Sequence, residues 1–331
     1  MPGHLFLFSH HWWLYALVTV FVIALPALDL GLFHRKPHVV GFREAAAWTA
    51  TWAAAALLFC VGLYFYTEWK FGAAAAKRIG LEFLTGYVVE WSLSLDNMFV
   101  FVVMFRYFAI PAPLQHRVLF LGILGALIFR AVFVFLGAAL LSYGWIAILF
   151  GVFLGFTGIQ MLFSTGHAVD PERSLAVRAV RSLMPVAPQL DGFRLFIRRD
   201  GKLYATPILL ALACIEATDI LFAIDSVPAI FAVTSEPLVV YASNVFAILG
   251  LRAMYFLIAG AMVKFHLLRY GLALVLIFVG LKMSWLNSAW QGHFPVGISL
   301  AVIVGTLAAS IALSFCLPAP RIPDPPASAQ S

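Results

Sequence analysis

The stretch EATDILFAIDSVPAIF, residues 216–231, decides the class of this protein, because it places three carboxylates inside an otherwise apolar run. Glu216, Asp219 and Asp225 are surrounded by Ile, Leu, Phe, Ala and Val. A charge at the centre of a bilayer costs about 2.5–3.5 kcal/mol even on the mildest insertion scales. Ionisable residues at this depth typically mark a functional site, so we expect one on this helix.

The rest of the chain is also suited to a lipid environment. Of its 331 residues, 63% are hydrophobic and 11% are charged, whereas about a quarter of a soluble protein is charged. Nine apolar runs approach or exceed the roughly 20 residues that a helix needs to cross a bilayer. They cover residues 12–32, 45–66, 82–104, 118–141, 144–164, 204–232, 240–262, 265–287 and 295–317. The prediction is an all-α polytopic membrane protein with about nine transmembrane helices.

The distribution of Lys and Arg predicts the orientation. With the N-terminus outside, fifteen of the 21 basic residues fall in inner loops and three in outer loops. This positive-inside bias predicts a multi-pass protein of the inner (plasma) membrane with a cytoplasmic C-terminus. It also accounts for the net charge of +6, so membrane lipid is an expected partner and nucleic acid is not.

The chain contains an internal sequence repeat. FRAVFVFLGA (129–138) is similar to LRAMYFLIAGA (251–261), and EWSLSLDN (90–97) aligns with DILFAIDS (219–226). Each unit covers three spans, and because three is odd the second unit must enter the membrane from the opposite side. The sequence therefore predicts two inverted three-helix repeats, an arrangement typical of secondary transporters with a site at the bilayer midplane.

These patterns divide the chain into six parts. They are two N-terminal transmembrane helices (1–81), the first repeat (82–164), a cytoplasmic basic loop with a short helix and a hairpin (165–203), the second, inverted repeat (204–287), the last transmembrane helix (288–317) and a disordered tail (318–331). In the loop, Asp170-Pro171 is expected to begin the helix and Asp200-Gly201 to form the hairpin turn. The loop is a candidate docking surface for a partner, and a homo-oligomer is a further option.

Acids outnumber bases inside the predicted spans. The ionisable residues there are Glu90, Asp96, Glu216, Asp219 and Asp225 on the acidic side and Arg130, Arg252 and Lys282 on the basic side. None of the nine histidines lies at mid-span, which disfavours a zinc or copper site. A surplus of carboxylates suits a hard or borderline divalent cation such as Mn²⁺ or Mg²⁺, bound by oxygen.

The repeats indicate the candidate site residues. The candidate metal ligands are Asp96, Asn97, Asp225, Ser226, Glu90 and Asp219. Glu216, whose counterpart in the first repeat is Tyr87, is a candidate proton relay. Arg130 and Arg252 are candidates for compensating the charge of an empty site.

The helical spacing leaves the geometry open. Asp225 lies off the helix face of Asp219 and Ser226 on an ideal helix, so Pro228 is expected to break the helix near Ile224 and turn Asp225 inward. Alternatively, Asp96 and Asp225 only pair with Arg130 and Arg252. Lys282 is expected to extend to the outer interface.

Several stretches resemble the TerC family of tellurium-resistance and Alx-type membrane proteins. They are LDLGLFHRKPHVVGFREA (28–45), LEFLTGYVVEWSLSLDNMFVF (81–101), RRDGKLYATP (198–207) and EATDILFAIDSVPAIFAVT (216–234). The resemblance implies a helical bundle related to the LysE-type exporter superfamily. It also implies metal-ion efflux, with Mn²⁺ as the substrate, and a link to tellurium resistance. No cofactor other than the transported ion is expected.

Two other function classes were weighed. An intramembrane aspartyl protease would use Asp96 and Asp225 from two helices, but they follow Leu95 and Ile224 rather than the residues of the YD and GxGD motifs. We therefore expect no enzyme activity. A membrane scaffold associated with stress or redox responses, docking partners at 165–203, would need no carboxylates at the midplane. Mn²⁺, Mg²⁺ and Ca²⁺ all accept carboxylate oxygens, so the residues alone leave the ion open.

Overall fold

A computed structural model describes residues 5–6, 8–28, 41–141, 143–163, 174–190, 192–199, 201–259, 267–290 and 294–317. Almost all of the described chain is helical. The long helices are α1 (Phe8–Leu28), α2 (Phe42–Phe71), α3 (Ala73–Tyr107), α4 (Ala112–Leu140), α5 (Gly144–Phe163), α7 (Pro207–Phe231), α8 (Pro237–Ala259), α9 (Leu268–Leu281) and α11 (Val296–Cys316). The short elements are α6 (Leu175–Leu183), β1 (Phe196–Arg199), β2 (Lys202–Ala205), a π-helical turn (Lys282–Leu286) and α10 (Asn287–Ala289).

Eight of the described helices are long and apolar enough to cross a membrane: α2, α3, α4, α5, α7, α8, α9 with its π-helical extension, and α11. The protein is therefore a nearly all-α, polytopic membrane protein. The first of the nine predicted runs coincides with α1, and a ninth span at that position stays a prediction.

Residue-specific signals set the helix ends. Thr206 caps α7 by accepting a hydrogen bond from the backbone N–H of Leu209 at 3.4 Å, and Pro207 follows in the first turn, where its missing N–H costs nothing. Between α2 and α3 the chain turns at Gly72, whose φ of +90° favours glycine.

The segment before α7 contains the short helix and hairpin that the sequence predicts. β1 pairs antiparallel with β2, with Arg198 opposite Leu203. The hairpin turn includes Gly201, at a φ of +76°. Asp170-Pro171 and Asp200 lie outside the described residues.

The predicted break in α7 is wrong. The helix is continuous from Pro207 to Phe231 with Pro228 inside it. Proline removes one helical hydrogen bond, and here the surrounding turns keep their helical geometry without it.

The helices of the two predicted repeats pack in a reciprocal manner: α3 packs on α8, α4 on α7 and α5 on α9. The backbones of α5 and α9 approach each other closely. A Cβ placed on Gly158 would lie 2.7 Å from the carbonyl oxygen of Ala273, and one on Gly280 would lie 2.5 Å from the backbone nitrogen of Gly155. Such close glycine packing is common between membrane helices. The inverted orientation of the two units stays a prediction.

Candidate functional site

A small cavity with a volume of about 60 Å³ lies inside the bundle, and because five of its ten lining residues are polar it is here named the polar cavity. It is lined by Leu93 and Asn97 of α3, Arg130 of α4, Thr157 and Met161 of α5, Phe222, Asp225 and Ser226 of α7, and Leu272 and Leu276 of α9. Both predicted acidic motifs thus contribute to its wall. The volume is enough for a small ion or one or two water molecules.

The α7 side of the cavity provides a carboxylate and a hydroxyl. The Thr157 hydroxyl donates to Phe153 O of its own helix at 3.0 Å and makes a longer contact, at 3.5 Å, with Asp225 Oδ1. Ser226 is 2% exposed, and its Oγ has no hydrogen-bond partner among the described residues. Because a buried hydroxyl without a partner is costly, this oxygen is available to a ligand. Asp225 and Ser226 are neighbours on α7 and both reach the cavity without a helix break.

Arg130 connects the cavity to a second group of polar residues. Its Nη1 atom donates to Glu90 Oε1 in a buried ion pair and to Asn244 Oδ1 at 2.6 Å. Ser94 Oγ also donates to Glu90 Oε1, at 3.3 Å. Asp219 is in electrostatic contact with both Arg130 and Glu90. The structure thus places Glu90 and Asp219 around Arg130 and outside the lining of the cavity.

Glu90 retains one unused acceptor. The side chain is fully buried, and its Oε2 atom has no hydrogen-bond partner among the described residues. The contacts of this carboxylate with Arg130 and Ser94 are both made at its other oxygen, Oε1. Its Oε2 atom could contact a cation without losing an existing hydrogen bond.

Glu216 occupies a space that a glycine provides. A Cβ on Gly125 of α4 would collide with both carboxylate oxygens of Glu216. Glu216 Oε2 is buried without a hydrogen-bond partner in the described chain, and Asp219 is its electrostatic neighbour. The structure places Glu216 beside Asp219 and outside the cavity lining.

The structure does not join two of the predicted site residues to this arrangement. The side chain of Asp96 lies outside the part that the structure describes. Arg252 is buried on α8, at 7% exposure, and does not line the cavity. Among the described residues, no group of three or more His, Cys, Asp or Glu is placed to hold a metal ion. Any ion in the cavity would have amide and hydroxyl oxygens beside Asp225.

Comparison with known proteins assigns the chain to a family. A family model described as "Integral membrane protein TerC family" matches residues 75–320. The chain belongs to the TerC family. The predicted resemblance is thereby confirmed, and this TerC-family protein is an integral, multi-pass membrane protein.

Relatives of this TerC-family protein match it over nearly their full length. It is 49% identical over 303 residues to "Uncharacterized membrane protein STKORF319" of Myxococcus xanthus, covering 91% of this chain and 92% of the relative. It is 42% identical over 297 residues to "Putative membrane-bound redox modulator Alx" of Escherichia coli K12, covering 89% and 91%. It is 40% identical over 298 residues to an "Uncharacterized membrane protein" of Rickettsia felis, covering 89% and 94%. No solved structure matches the chain.

The TerC-family chain also holds a charged cluster that sequence reasoning missed. Arg78 lies 3.7 Å from both Glu82 and Glu236, and Thr234 Oγ1 donates to Glu82 Oε2 at 2.5 Å. Lys282 is 4% exposed and in electrostatic contact with Glu82. A buried carboxylate, that of Glu82, is therefore close to Lys282, and the extension of Lys282 to the outer interface stays a prediction. In the sequence, Glu82 and Glu236 fall at the ends of apolar runs and read as interfacial residues.

Two polar residues of the central site were also missed. Thr157 and Asn244 lie in apolar runs without a charged neighbour in sequence, and each is brought to its partner by packing between helices. The internal repeat offers no signal for them, because the aligned positions are not polar pairs. A search for every polar residue within the spans would have found both.

Proposed function

We propose that this TerC-family protein exports a divalent metal cation, Mn²⁺, through the polar cavity. The observation that carries the proposal is the meeting of the two acidic motifs inside the bundle. Asn97 from the first motif and Asp225 and Ser226 from the second line one cavity, and the Ser226 hydroxyl lacks a partner in the described chain. Carboxylate, amide and hydroxyl oxygens are suitable ligands for a hard or borderline cation.

Charge explains how the empty and occupied sites would differ. Arg130 lies on the cavity wall and is paired with Glu90, so a positive charge stands near Asp225 when no cation is present. A divalent cation would repel Arg130 and attract Asp225, Asp219 and Glu90. Arg130 would thereby couple the charge in the cavity to Glu90 and Asp219. In this role it compensates the charge of the empty site, and Arg252 would act in the same way in the other conformation.

Protons are the proposed coupling ions. Glu216 and Asp219 are electrostatic neighbours one helical turn apart on α7, and Glu216 Oε2 makes no hydrogen bond within the described chain. Two close carboxylates in an apolar span share protons readily, because both cannot be ionised at low cost. Release of a cation outward with uptake of protons at this pair would keep the net charge of the bundle nearly constant.

Alternating access would use the two predicted inverted repeats. Their support is the reciprocal packing of α3 on α8, α4 on α7 and α5 on α9, which is what two units related by a two-fold axis would give. The proposed orientation in the plasma membrane, with the N-terminus outside and the C-terminus in the cytoplasm, rests on the basic residues of the inner loops. The outward direction and the link to tellurium resistance rest on the resemblance to the TerC family.

The choice of Mn²⁺ over Mg²⁺ and Ca²⁺ is supported by Met161. This side chain lines the polar cavity, and a polarisable thioether is a poor ligand for the hardest cations. Mn²⁺ is the most tolerant of the three toward a soft neighbour. Met98, the methionine beside Asn97 in sequence, is instead fully buried in the apolar core.

The alternative is a membrane scaffold associated with stress or redox responses that has no transport activity. The observation in its favour is the printed name "Putative membrane-bound redox modulator Alx" of several relatives. Against a thiol-based role, Cys60 and Cys214 are free and buried, and Cys316 is free and exposed. A scaffold also gives no reason for an unpartnered hydroxyl beside Asp225. We propose no enzyme activity for either function.

Measuring the manganese content of cells distinguishes the export function from the scaffold function. A host that lacks its own manganese exporters would express the wild type, Asp225→Asn or Glu68→Gln, the last being a matched loss of a carboxylate on α2 away from the cavity. We expect the wild type and Glu68→Gln to lower cell manganese and to restore growth in excess manganese. Asp225→Asn at equal abundance should do neither.

The outcomes separate the two proposals. If none of the three proteins changes cell manganese, magnesium or calcium, the export function is wrong and the scaffold is favoured. If magnesium or calcium falls instead of manganese, the transport class stands and the assignment of the ion is wrong. Equal activity of Asp225→Asn and the wild type would remove the cavity from the transport path.

A further inference from the structure

The segment between the two predicted repeats exposes a set of bases that no transport step uses. Six basic side chains of α6 and of the hairpin region are exposed: Arg178, Arg181, Arg194, Arg198, Arg199 and Lys202. Among the described residues 174–190, 192–199 and 201–205 there is no acid; the four acids of the segment 165–203, Asp170, Glu172, Asp191 and Asp200, lie outside the described residues. The surface formed by α6, β1 and β2, here named the basic face, is therefore strongly positive.

Exposed apolar side chains lie among these bases on α6. Leu175 and Leu183 are 79% and 80% exposed, while Val177 is buried against the bundle. At 100° per residue, Leu175 and Leu183 lie along one edge of the exposed side, and Arg178 and Arg181 lie along the other. The helix thus turns both leucines and both arginines away from the protein.

The hairpin repeats this combination. Phe196 and Arg198 point to the same side of β1, and Leu203 lies directly opposite Arg198 on β2. Phe196 is 44% exposed and Leu203 is 49% exposed, whereas Ile197, on the other side of the strand, is buried. Two separate elements therefore place leucine or phenylalanine beside arginine on their outward sides.

The basic face is held firmly on the end of the bundle. The backbone N–H of Ala187 donates to Ala205 O at 2.8 Å, and Thr206 Oγ1 donates to Arg194 O at 2.7 Å. The guanidinium of Arg117 on α4 lies 5.6 Å from the ring centroid of Phe193. These contacts fix the hairpin relative to α4 and α7, and α6 packs on α7, so the face has a set position at one end of the bundle.

We propose that the basic face binds anionic phospholipid headgroups of the membrane in which the protein sits. Arginines beside exposed leucines and phenylalanine match a membrane interface, where phosphates lie next to the first carbons of the acyl chains. In a loop surrounded only by water, the exposed apolar side chains of this face would remain in contact with water, which is unfavourable. They are Leu175, Leu183, Phe196 and Leu203. The inference does not depend on metal transport.

The test uses the full-length protein with an environment-sensitive fluorophore on Leu183→Cys. Cys316→Ser removes the exposed native thiol, and the other two cysteines are buried. The labelled protein is reconstituted in phosphatidylcholine vesicles with increasing fractions of phosphatidylglycerol. We expect the emission to shift to the blue and the label to become protected from aqueous iodide as the anionic lipid increases.

Charge neutralisation gives the decisive comparison. In the quadruple variant R178Q/R181Q/R198Q/R199Q, the fraction of phosphatidylglycerol needed for half of the shift should rise at least about tenfold or the shift should vanish, since each base contributes several-fold to such binding. The matched control is Lys77→Gln, which removes an exposed base of α3 and should leave the titration unchanged. Native mass spectrometry of the same proteins should show fewer retained phosphatidylglycerol molecules only for the quadruple variant.

Two results would overturn the inference. A label that stays water-exposed at every lipid composition would assign the face to solvent or to a protein partner. A label that is buried equally in phosphatidylcholine alone would show apolar contact without recognition of headgroup charge. If the quadruple variant fails to fold, the wild-type titration still decides, because an emission that ignores phosphatidylglycerol contradicts the proposal.

Discussion

Asn244 on α8 accepts a hydrogen bond from Arg130 on α4 across the two predicted repeats, with Arg130 Nη1 2.6 Å from Asn244 Oδ1. Both side chains are buried, at 1% and 6% exposure. The amide nitrogen of Asn244 meanwhile donates to Val240 O of its own helix at 3.1 Å. The orientation of Asn244 is therefore determined by its own helix, and Asn244 in turn orients the arginine at the cavity.

Replacing Asn244 with leucine, which has a similar size, should destabilise the protein by about 1–3 kcal/mol, because a buried charged donor loses an acceptor. Metal export should fall as Arg130 loses its orientation. The measurement is thermal unfolding of the purified protein together with cell manganese. The matched control is Ser243→Ala, since within the described chain the Ser243 hydroxyl bonds only to carbonyl oxygens of its own helix. Equal losses in both variants would contradict a specific role of Asn244.

The ion pair of Glu90 and Arg130 predicts a strongly non-additive double-mutant cycle. Arg130→Gln leaves Glu90 buried beside Asp219 without its cation, and the loss of one partner of a buried pair costs about 3–5 kcal/mol. Adding Glu90→Gln to Arg130→Gln should recover part of that stability, as the uncompensated negative charge is removed. Unfolding temperatures of the wild type, both single variants and the double variant measure the coupling. Additive losses would show that the pair is not energetically coupled.

The hydroxyl of Thr157 should matter more than its size. Thr157→Val keeps the shape of the side chain and removes the donor to Asp225 and one polar group of the cavity. We expect the apparent affinity for the transported cation to fall roughly tenfold, corresponding to about 1.4 kcal/mol, with little change in unfolding temperature. Thr157→Ser, which retains the hydroxyl, should transport like the wild type. Similar behaviour of the two variants would exclude Thr157 from cation binding.

The glycine contact between α5 and α9 should not tolerate a methyl group. Gly158→Ala would place a Cβ 2.7 Å from Ala273 O and 2.8 Å from a side-chain carbon of Ile277, and overpacking of this kind costs about 1–3 kcal/mol. The control on the same helix is Gly155→Ala, whose Cβ would meet no atom within 4 Å. A lower unfolding temperature is expected for Gly158→Ala alone. If both variants match the wild type, the helices are not packed this closely.

Met161 should influence which cation competes with manganese. Met161→Leu preserves an apolar side chain of similar volume on the cavity wall and removes the thioether. Because the soft sulfur disfavours the hardest ions, Mg²⁺ and Ca²⁺ should inhibit Mn²⁺ transport several-fold more strongly in this variant. The readout is transport of radioactive manganese into vesicles at rising Mg²⁺ or Ca²⁺. Unchanged inhibition would remove Met161 from ion selection.

Much of the fold follows from the sequence alone. Long apolar runs determine the spanning helices, because a helix is the only open structure that satisfies its own backbone within lipid, and eight of the predicted runs are confirmed as candidate spans. The hairpin follows from its turn residues, and the family follows from two long acidic motifs. The cavity residues Asn97, Asp225 and Ser226 were also identified from the motifs, since polar residues in an apolar span are costly unless they have a use.

The tertiary structure decides which of those polar residues meet. From helical spacing alone, Asp225 lies off the helix face of Asp219 and Ser226, and a break caused by Pro228 is expected to turn it inward. In the structure α7 is unbroken, and it brings Asp225 and Ser226 to the cavity together. Packing of α4 and α8 supplies Asn244 to Arg130, and packing of α5 supplies Thr157 to Asp225. These partners come from distant parts of the chain, and no local pattern encodes them. The sequence by itself determined that buried charge must be present in this membrane protein, and only the helix packing determined how that charge is paired, because pairing depends on distances in space.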